Sequence, residues 1–276
     1  MSHMRVSCSP SGCPEFHPVY AGIEVCPACG LGRTVEATAT SEEQDYLNPK
    51  EPGGAERPDY FRELFKAYCE TLTPARALDI GCGRGEWVRL LNVQRWTAHG
   101  IDTYRGFVPD NVCFFRTGLE DYCPEQPYDL ITLIHCFEHL PDPVTALKKL
   151  ARLLASNGRL LIIVPNFAGA WSRFLGADWQ MLRTDHHAFH YTIPSLSKLL
   201  TNCGYGIERT ITCSYYAPSI IQLRLRRAQF YDRGVGSVQP LRSIIFRTNA
   251  LLRPLLNRRL DALVDGAEIQ MLAKLS

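Results

Sequence analysis

The stretch Ala77-Leu78-Asp79-Ile80 runs directly into Gly81-Cys82-Gly83-Arg84-Gly85-Glu86-Trp87, and few folds accommodate that junction. An apolar run closing on an acid reads as a buried strand. Glycine at every second position then reads as a loop that presses its backbone against a ligand, where a side chain at Gly81, Gly83 or Gly85 would hold the ligand away. Glu86 to Leu91 continues as a helix whose positive end faces the same place. Any sharp strand-to-helix turn can want glycines, so the reading needs a partner. It has one about twenty residues on, where Thr97-Ala98-His99-Gly100-Ile101 reads as a second strand ending in Asp102, the position at which a doubly wound sheet offers a carboxylate to ribose hydroxyls. The third glycine comes a residue too early for the G-x-G-x-x-G spacing, which argues against a dinucleotide enzyme.

The strands continue in order. Val112 to Arg116 is a third, and Tyr128 to Ile134, apolar on both faces, is a fourth and central one. The fourth delivers His135, Cys136, Phe137, Glu138 and His139 to the carboxyl edge, where ligands of open α/β sheets bind. Val144 to Ala155 reads as a helix stopped by Asn157-Gly158, and Leu160 to Val164 as the fifth strand. An aromatic stretch with Trp171 and Trp179 closes on His186-His187-Ala188-Phe189-His190-Tyr191. Pro194 to Cys203 reads as a helix, Gly206 to Cys213 as a strand, and Ala267 to Leu275 as the last strand. Upstream of the glycine turn, Asp59 is expected to cap a helix whose stripe of Phe61, Leu64, Phe65, Tyr68 and Leu72 belongs to the core.

Leu-Asp-Ile-Gly-Cys-Gly-Arg-Gly at 78–85, Gly-Ile-Asp at 100–102, the run 128–140, Asn157 to Asn166 and His186 to Thr192 resemble the class I S-adenosylmethionine-dependent methyltransferases of the type 11/23 group. The resemblance covers about residues 60–213 and the last strand. It implies an α/β fold: a seven-stranded, mostly parallel Rossmann-like sheet with helices on both faces. It also implies S-adenosylmethionine as cofactor, held by Asp79, Gly81, Cys82, Gly83, Gly85, Asp102, Thr103, Leu119, Glu120 and His135, with Glu120 receiving the adenine amino group. Methyl transfer to a hydroxyl asks the protein for alignment and for a proton acceptor. His139, with Glu138 beside it, and His187 are the candidates, with His190 as the alternative on the later loop. A second arrangement is a divalent metal on His135, Glu138 and His139, at i, i+3 and i+4, completed by His187 or His190.

Eleven cysteines without a visible secretory signal point to a reducing cytoplasm. Met1-Ser2-His3-Met4 resembles a cloning scar and is left out of the fold. Cys8, Cys13, Cys26 and Cys29 form two pairs on knuckles rich in Pro and Gly, the ligand set of a tetrahedral structural zinc; His17 is the lesser alternative to one thiolate. The expected organisation is a zinc-binding ribbon at 1–35, a linker at 36–58, and a methyltransferase domain at 59–276 with a helical insertion at 215–262. Within Tyr215 to Leu260 nine arginines stand against one acid, Asp232, with leucines and isoleucines between them. That pattern suits helices capping the domain with arginines in water, or a peripheral contact with an anionic membrane on its inner face.

The acceptor class expected is a hydroxyl on a small molecule, a sugar or a lipid-linked intermediate. An RNA-modifying enzyme, its ribbon and arginines on phosphates, is the alternative; a net charge of +2 argues against nucleic acid. A non-catalytic cofactor-binding subunit is the third reading, disfavoured by the intact glycine turn and Asp102.

Overall fold

The computed structural model describes residues 16–20, 22–35, 58–182, 186–214 and 265–276. Near the N-terminus three short strands, β1 (His17–Tyr20), β2 (Ile23–Val25) and β3 (Gly32–Thr34), form antiparallel pairs. Helix α1 (Pro58–Tyr68) then precedes β4 (Arg76–Ile80), α2 (Glu86–Val93), β5 (Thr97–Asp102), β6 (Phe114–Arg116) and β7 (Tyr128–Ile134). A short 3-10 turn, Phe137–His139, leads to α3 (Pro143–Leu153) and β8 (Leu154–Pro165). After α4 (Ala170–Leu175) come β9 (Phe189–His190), α5 (Ile193–Asn202), β10 (Tyr205–Cys213) and β11 (Glu268–Leu275).

Seven strands form one sheet in the order β10-β11-β8-β7-β4-β5-β6. Strands β4 to β8 pair in parallel, whereas β11 runs antiparallel to both β8 and β10. The chain winds outward from β4 through β5 to β6, then returns to β7 on the other side. That reversal opens a crevice at the carboxyl ends of β4 and β7. Alternation within a strand buried on both sides divides the core. Leu160, Ile162 and Val164 of β8 pack toward α3 and α5, and Leu161 and Ile163 toward α1 and α2.

Two local expectations are corrected. Helix α3 ends at Leu153, two residues short of the predicted Ala155, and β8 starts at once, so Asn157-Gly158 does not cap the helix. It lies in a register shift where Tyr128 pairs with Leu154 but Leu130 with Arg159. Gly158 is needed there because a Cβ would stand 2.7 Å from the Tyr128 carbonyl oxygen. Asp59 sits inside the first turn of α1, not at its cap, where its charge suits the helix dipole and pairs with Arg62.

The ribbon strands dock on the main domain. Strand β3 pairs with β9, making a second, four-stranded sheet in the order β1-β2-β3-β9. Ile23 is buried in a cluster with Trp171, Leu175, Trp179, Leu182 and Ala267. Cys8 and Cys13, the expected linker apart from Pro58, and the expected insertion at 215–262 with its membrane contact lie outside the described residues.

Candidate active site

The glycine turn after β4 alternates in and out of the left-handed region, with φ of 71° at Gly81, 53° at Gly83 and 74° at Gly85. Their neighbours also demand glycine. A Cβ at Gly81 would lie 2.5 Å from Cys136 Sγ, and one at Gly85 2.5 Å from Val112 Cγ1. The reason for glycine at 81 and 85 is therefore backbone conformation and packing against the protein itself, and not only clearance for a ligand. Cys82 turns its side chain inward: a Cβ at Gly100 would meet its Sγ at 2.5 Å, and burial pushes the thiol far above its usual range. At position 82 only the backbone remains for the loop.

Asp102, at the end of β5, accepts the Gly83 N–H on Oδ2 at 2.7 Å and the Tyr104 N–H on Oδ1 at 2.8 Å. It pins the turn, and each oxygen keeps acceptor capacity for a hydroxyl. Asp79 is buried and accepts the Thr132 hydroxyl at 2.7 Å. Burial raises its pKa to about 7; the Thr132 hydrogen bond opposes that and the charge of Asp102 adds to it. A ligand carrying a ribose diol, an ammonium and a carboxylate fits this donor and acceptor set: Asp102, Asp79 and the N–H groups of the turn. Thr103 and Glu120 are exposed, and Leu119 is buried.

A pH dependence follows. Because its folded pKa is raised, Asp79 favours the fold most below its unfolded value and loses that contribution as pH rises through 7. A cationic ligand group placed beside it would stabilise the ionised form. Affinity for S-adenosylhomocysteine should therefore rise by about tenfold per pH unit up to 7 and level off above. Calorimetry on Asp79→Asn should show binding about tenfold weaker at pH 8 and a flat profile.

His135 follows the last residue of β7; its φ of 52° is left-handed although it is not glycine, while its N–H still donates to the Ile163 carbonyl at 2.9 Å. Two acids hold it there. Nε2 lies 2.9 Å from Glu268 Oε2, and Nδ1 lies 3.6 Å from Glu138 Oε1, a charge contact beyond hydrogen-bond reach. Burial alone would lower the His135 pKa, but Glu138 and Glu268 outweigh it and raise it to about 9, so the ring is an imidazolium near neutral pH. Glu268 also receives the Tyr60 hydroxyl at 3.3 Å and Gln270 Nε2 at 2.8 Å, and Gln270 in turn accepts from Tyr68 at 3.0 Å. This chain of contacts ties α1 through β11 to the turn after β7.

Beyond His135, Glu138, His139 and His187 converge, with one ligating atom from each within 4.8 Å of the others. Burial works against ionisation of Glu138, yet His135 and the other imidazoles prevail and hold it at about 2. Both its oxygens are buried without a hydrogen-bond donor among the described residues. His187 Nε2 lies 3.8 Å away, but burial lowers that ring to about 3, with Glu138 opposing and His139 and His190 adding. The contact is thus a carboxylate facing a neutral imidazole. His139 meets the His187 ring edge-on, and its Nδ1 lies 3.2 Å from the His186 carbonyl oxygen. Donation to that carbonyl leaves Nε2 with its lone pair.

The structure brings Glu138, His139 and His187 together and does not place His135 with them as a fellow ligand. Residues 137–139 form a 3-10 turn, which does not keep the helical i, i+3, i+4 face; His135 turns to Glu268 and His190 to Thr34. Sequence reasoning missed Glu268, Tyr60, Thr132 and Thr34. Glu268 and Gln270, two polar residues at i and i+2 in an apolar strand, were a legible signal; Thr34 carried none.

The chain belongs to the methyltransferase domain family, whose profile matches residues 55–210, and it is an S-adenosylmethionine-dependent methyltransferase. It is similar to a ubiquinone biosynthesis O-methyltransferase of Xylella fastidiosa, 30% identical over 194 residues that cover 62% of this chain and 76% of the relative. It is also similar to the 27-O-demethylrifamycin SV methyltransferase of Amycolatopsis mediterranei, 30% identical over 126 residues, 39% of this chain and 44% of that one. Among solved structures, the 1,6-didemethyltoxoflavin-N1-methyltransferase of Burkholderia thailandensis, with bound 1,6-didemethyltoxoflavin and S-adenosylhomocysteine, shares the fold. Its TM-score is 0.54 at 15% identity, over 95% of this chain and 99% of that one. No helix among the described residues is long and apolar enough to cross a membrane.

Proposed function

We propose that this enzyme methylates a hydroxyl of a small molecule, a sugar or a lipid-linked intermediate. The observation that carries the reading is the cluster of Glu138, His139 and His187 beside the glycine turn, which it meets where Gly81 packs on Cys136. Two relatives named as O-methyltransferases or for an O-demethyl substrate support it. The bound cofactor supplies an electrophilic methyl group on a sulfonium. His139 is the proton acceptor: its Nδ1 is held by the His186 carbonyl, and Nε2 takes the proton from the hydroxyl as the oxygen attacks. Glu138, ionised and buried, stabilises the imidazolium so formed. The neutral His187 is too weak a base for that task and orients the hydroxyl.

A second reading uses the same three side chains as ligands of a divalent cation. The buried carboxylate of Glu138 without hydrogen-bond donors, and a His187 kept neutral, are what a metal asks for. A cation held by Glu138, His139 and His187 would lower the pKa of a bound hydroxyl, and chelation would then abolish turnover. The deciding experiment feeds isotopically labelled cofactor to the enzyme with separated small-molecule, lipid and RNA fractions, with and without chelator. Label in a small-molecule or lipid fraction supports the proposal; label confined to RNA refutes it.

A structural zinc on Cys8, Cys13, Cys26 and Cys29 belongs to the same proposal. Cys26-Pro27-Ala28-Cys29 folds as a knuckle, with the Gly30 N–H donating to the Cys26 carbonyl and the Cys26 N–H to the Leu31 carbonyl, both at 2.8 Å. Gly30 has a φ of 73°, and both thiols are buried. Elemental analysis should find about one zinc per chain, lost in Cys26→Ser; metal-free wild type prepared without chelator would count against it.

A further inference from the structure

Strand β3 and the histidine loop lie far apart in the chain, Thr34 and His187 being 153 positions apart, yet they are stitched together. Gly32 pairs with His190 and Arg33 with Phe189. Thr34 extends the seam: its N–H donates to the Ala188 carbonyl at 3.0 Å and its hydroxyl to the His187 carbonyl at 2.6 Å. With the hydroxyl proton committed, Oγ1 can only accept from His190 Nε2, 3.0 Å away, so His190 carries its proton on Nε2. On the opposite edge of the same segment the Ala188 N–H donates to the Glu138 carbonyl at 2.9 Å. The loop that carries His187 is therefore held between β3 and the Phe137–His139 turn. A second clasp joins the knuckle to α5, where the Thr192 hydroxyl, at the cap, donates to the Cys29 carbonyl at 3.1 Å.

We propose that Thr34 is a positioning residue of the acceptor site, and that strand β3, which carries it, braces the histidine loop of that site instead of belonging to a separate docking module. The inference rests on the reading that His139 and His187 face the acceptor. Its physical content is that the spacing of His187 from Glu138 is set by a seam in which Thr34 supplies three of the hydrogen bonds. None of these contacts involves Asp79, the glycine turn or Asp102, so β3 acts on the acceptor side and leaves cofactor binding alone.

Thr34→Val keeps the branched shape and removes the hydroxyl; Thr34→Ser keeps the hydroxyl. Long-range proton–nitrogen correlation spectra of the imidazoles, recorded on the whole 276-residue chain as purified, read the outcome without any acceptor. In wild type His190 should be the Nε2–H tautomer. Thr34→Val should lose that signature and shift the His187 signals. Hydrogen exchange over residues 186–190 should quicken by about tenfold. Affinity for S-adenosylhomocysteine should stay within about twofold, and Thr34→Ser should restore the spectra. A wild-type His190 protonated on Nδ1, or imidazole signals unmoved in Thr34→Val, would overturn the proposal. Full methyl transfer by His187→Ala would instead refute the functional reading, and the imidazole result would stand apart from it.

Discussion

Glu138→Gln should lower the rate of methyl transfer by about a hundredfold or more, with the affinity for S-adenosylhomocysteine within about twofold of wild type. The glutamate is 1% exposed and is the one carboxylate in the cluster of Glu138, His139 and His187. Gln preserves the shape and removes the charge. If His139 is the proton acceptor, the imidazolium formed on it loses its stabilising anion. If a cation is bound, it loses its only anionic ligand among the three. The fold should survive, because His135 keeps its 2.9 Å contact with Glu268. Steady-state rates and calorimetry measure the two quantities, and adding Mn²⁺ or Mg²⁺ divides the mechanisms. Partial rescue of Glu138→Asp by excess cation indicates a ligand, and no response indicates a charge acting through the imidazole. Wild-type turnover in Glu138→Gln would remove the cluster from the chemistry.

Gly81→Val should weaken cofactor binding by more than about a hundredfold. Two costs combine. Position 81 has a φ of 71°, which a β-branched residue adopts only under strain, and its new Cβ would stand 2.5 Å from Cys136 Sγ and 2.8 Å from Cys136 Cβ. Left-handed backbone costs roughly 1–2 kcal/mol and overpacking about 1–3 kcal/mol, together enough for a loss of that size. The collision also pushes the Phe137–His139 turn, so methyl transfer at saturating cofactor should fall too. Gly85→Val lacks that second effect, since the atom it meets is Val112, away from the turn. Comparing the two variants by calorimetry and by turnover separates damage to the cofactor loop from damage to the turn; equal effects on both quantities would argue against the coupling.

The glycine turn, the acids Asp79 and Asp102, and the succession of the seven main-sheet strands along the chain were legible because each is written in consecutive residues. Alternating apolar positions specify a strand buried on both faces, and a strand closing on an acid before alternating glycines specifies the turn after it. The turn bearing Glu138 and His139 was placed correctly at the sheet edge, but its 3-10 geometry was not readable, so the helical face expected for His135 does not form. Which partner each buried polar group takes was decided by tertiary structure alone. His135 meets Glu268 because β11 inserts antiparallel beside β8, and His190 meets Thr34 because a ribbon near the N-terminus adds its last strand to β9. A hydrogen bond in a low-dielectric interior depends on where atoms stand within a few tenths of an ångström. Residues more than a hundred positions apart leave no periodic trace of that placement; only the packed sheet, by fixing register and strand order, brings them within reach.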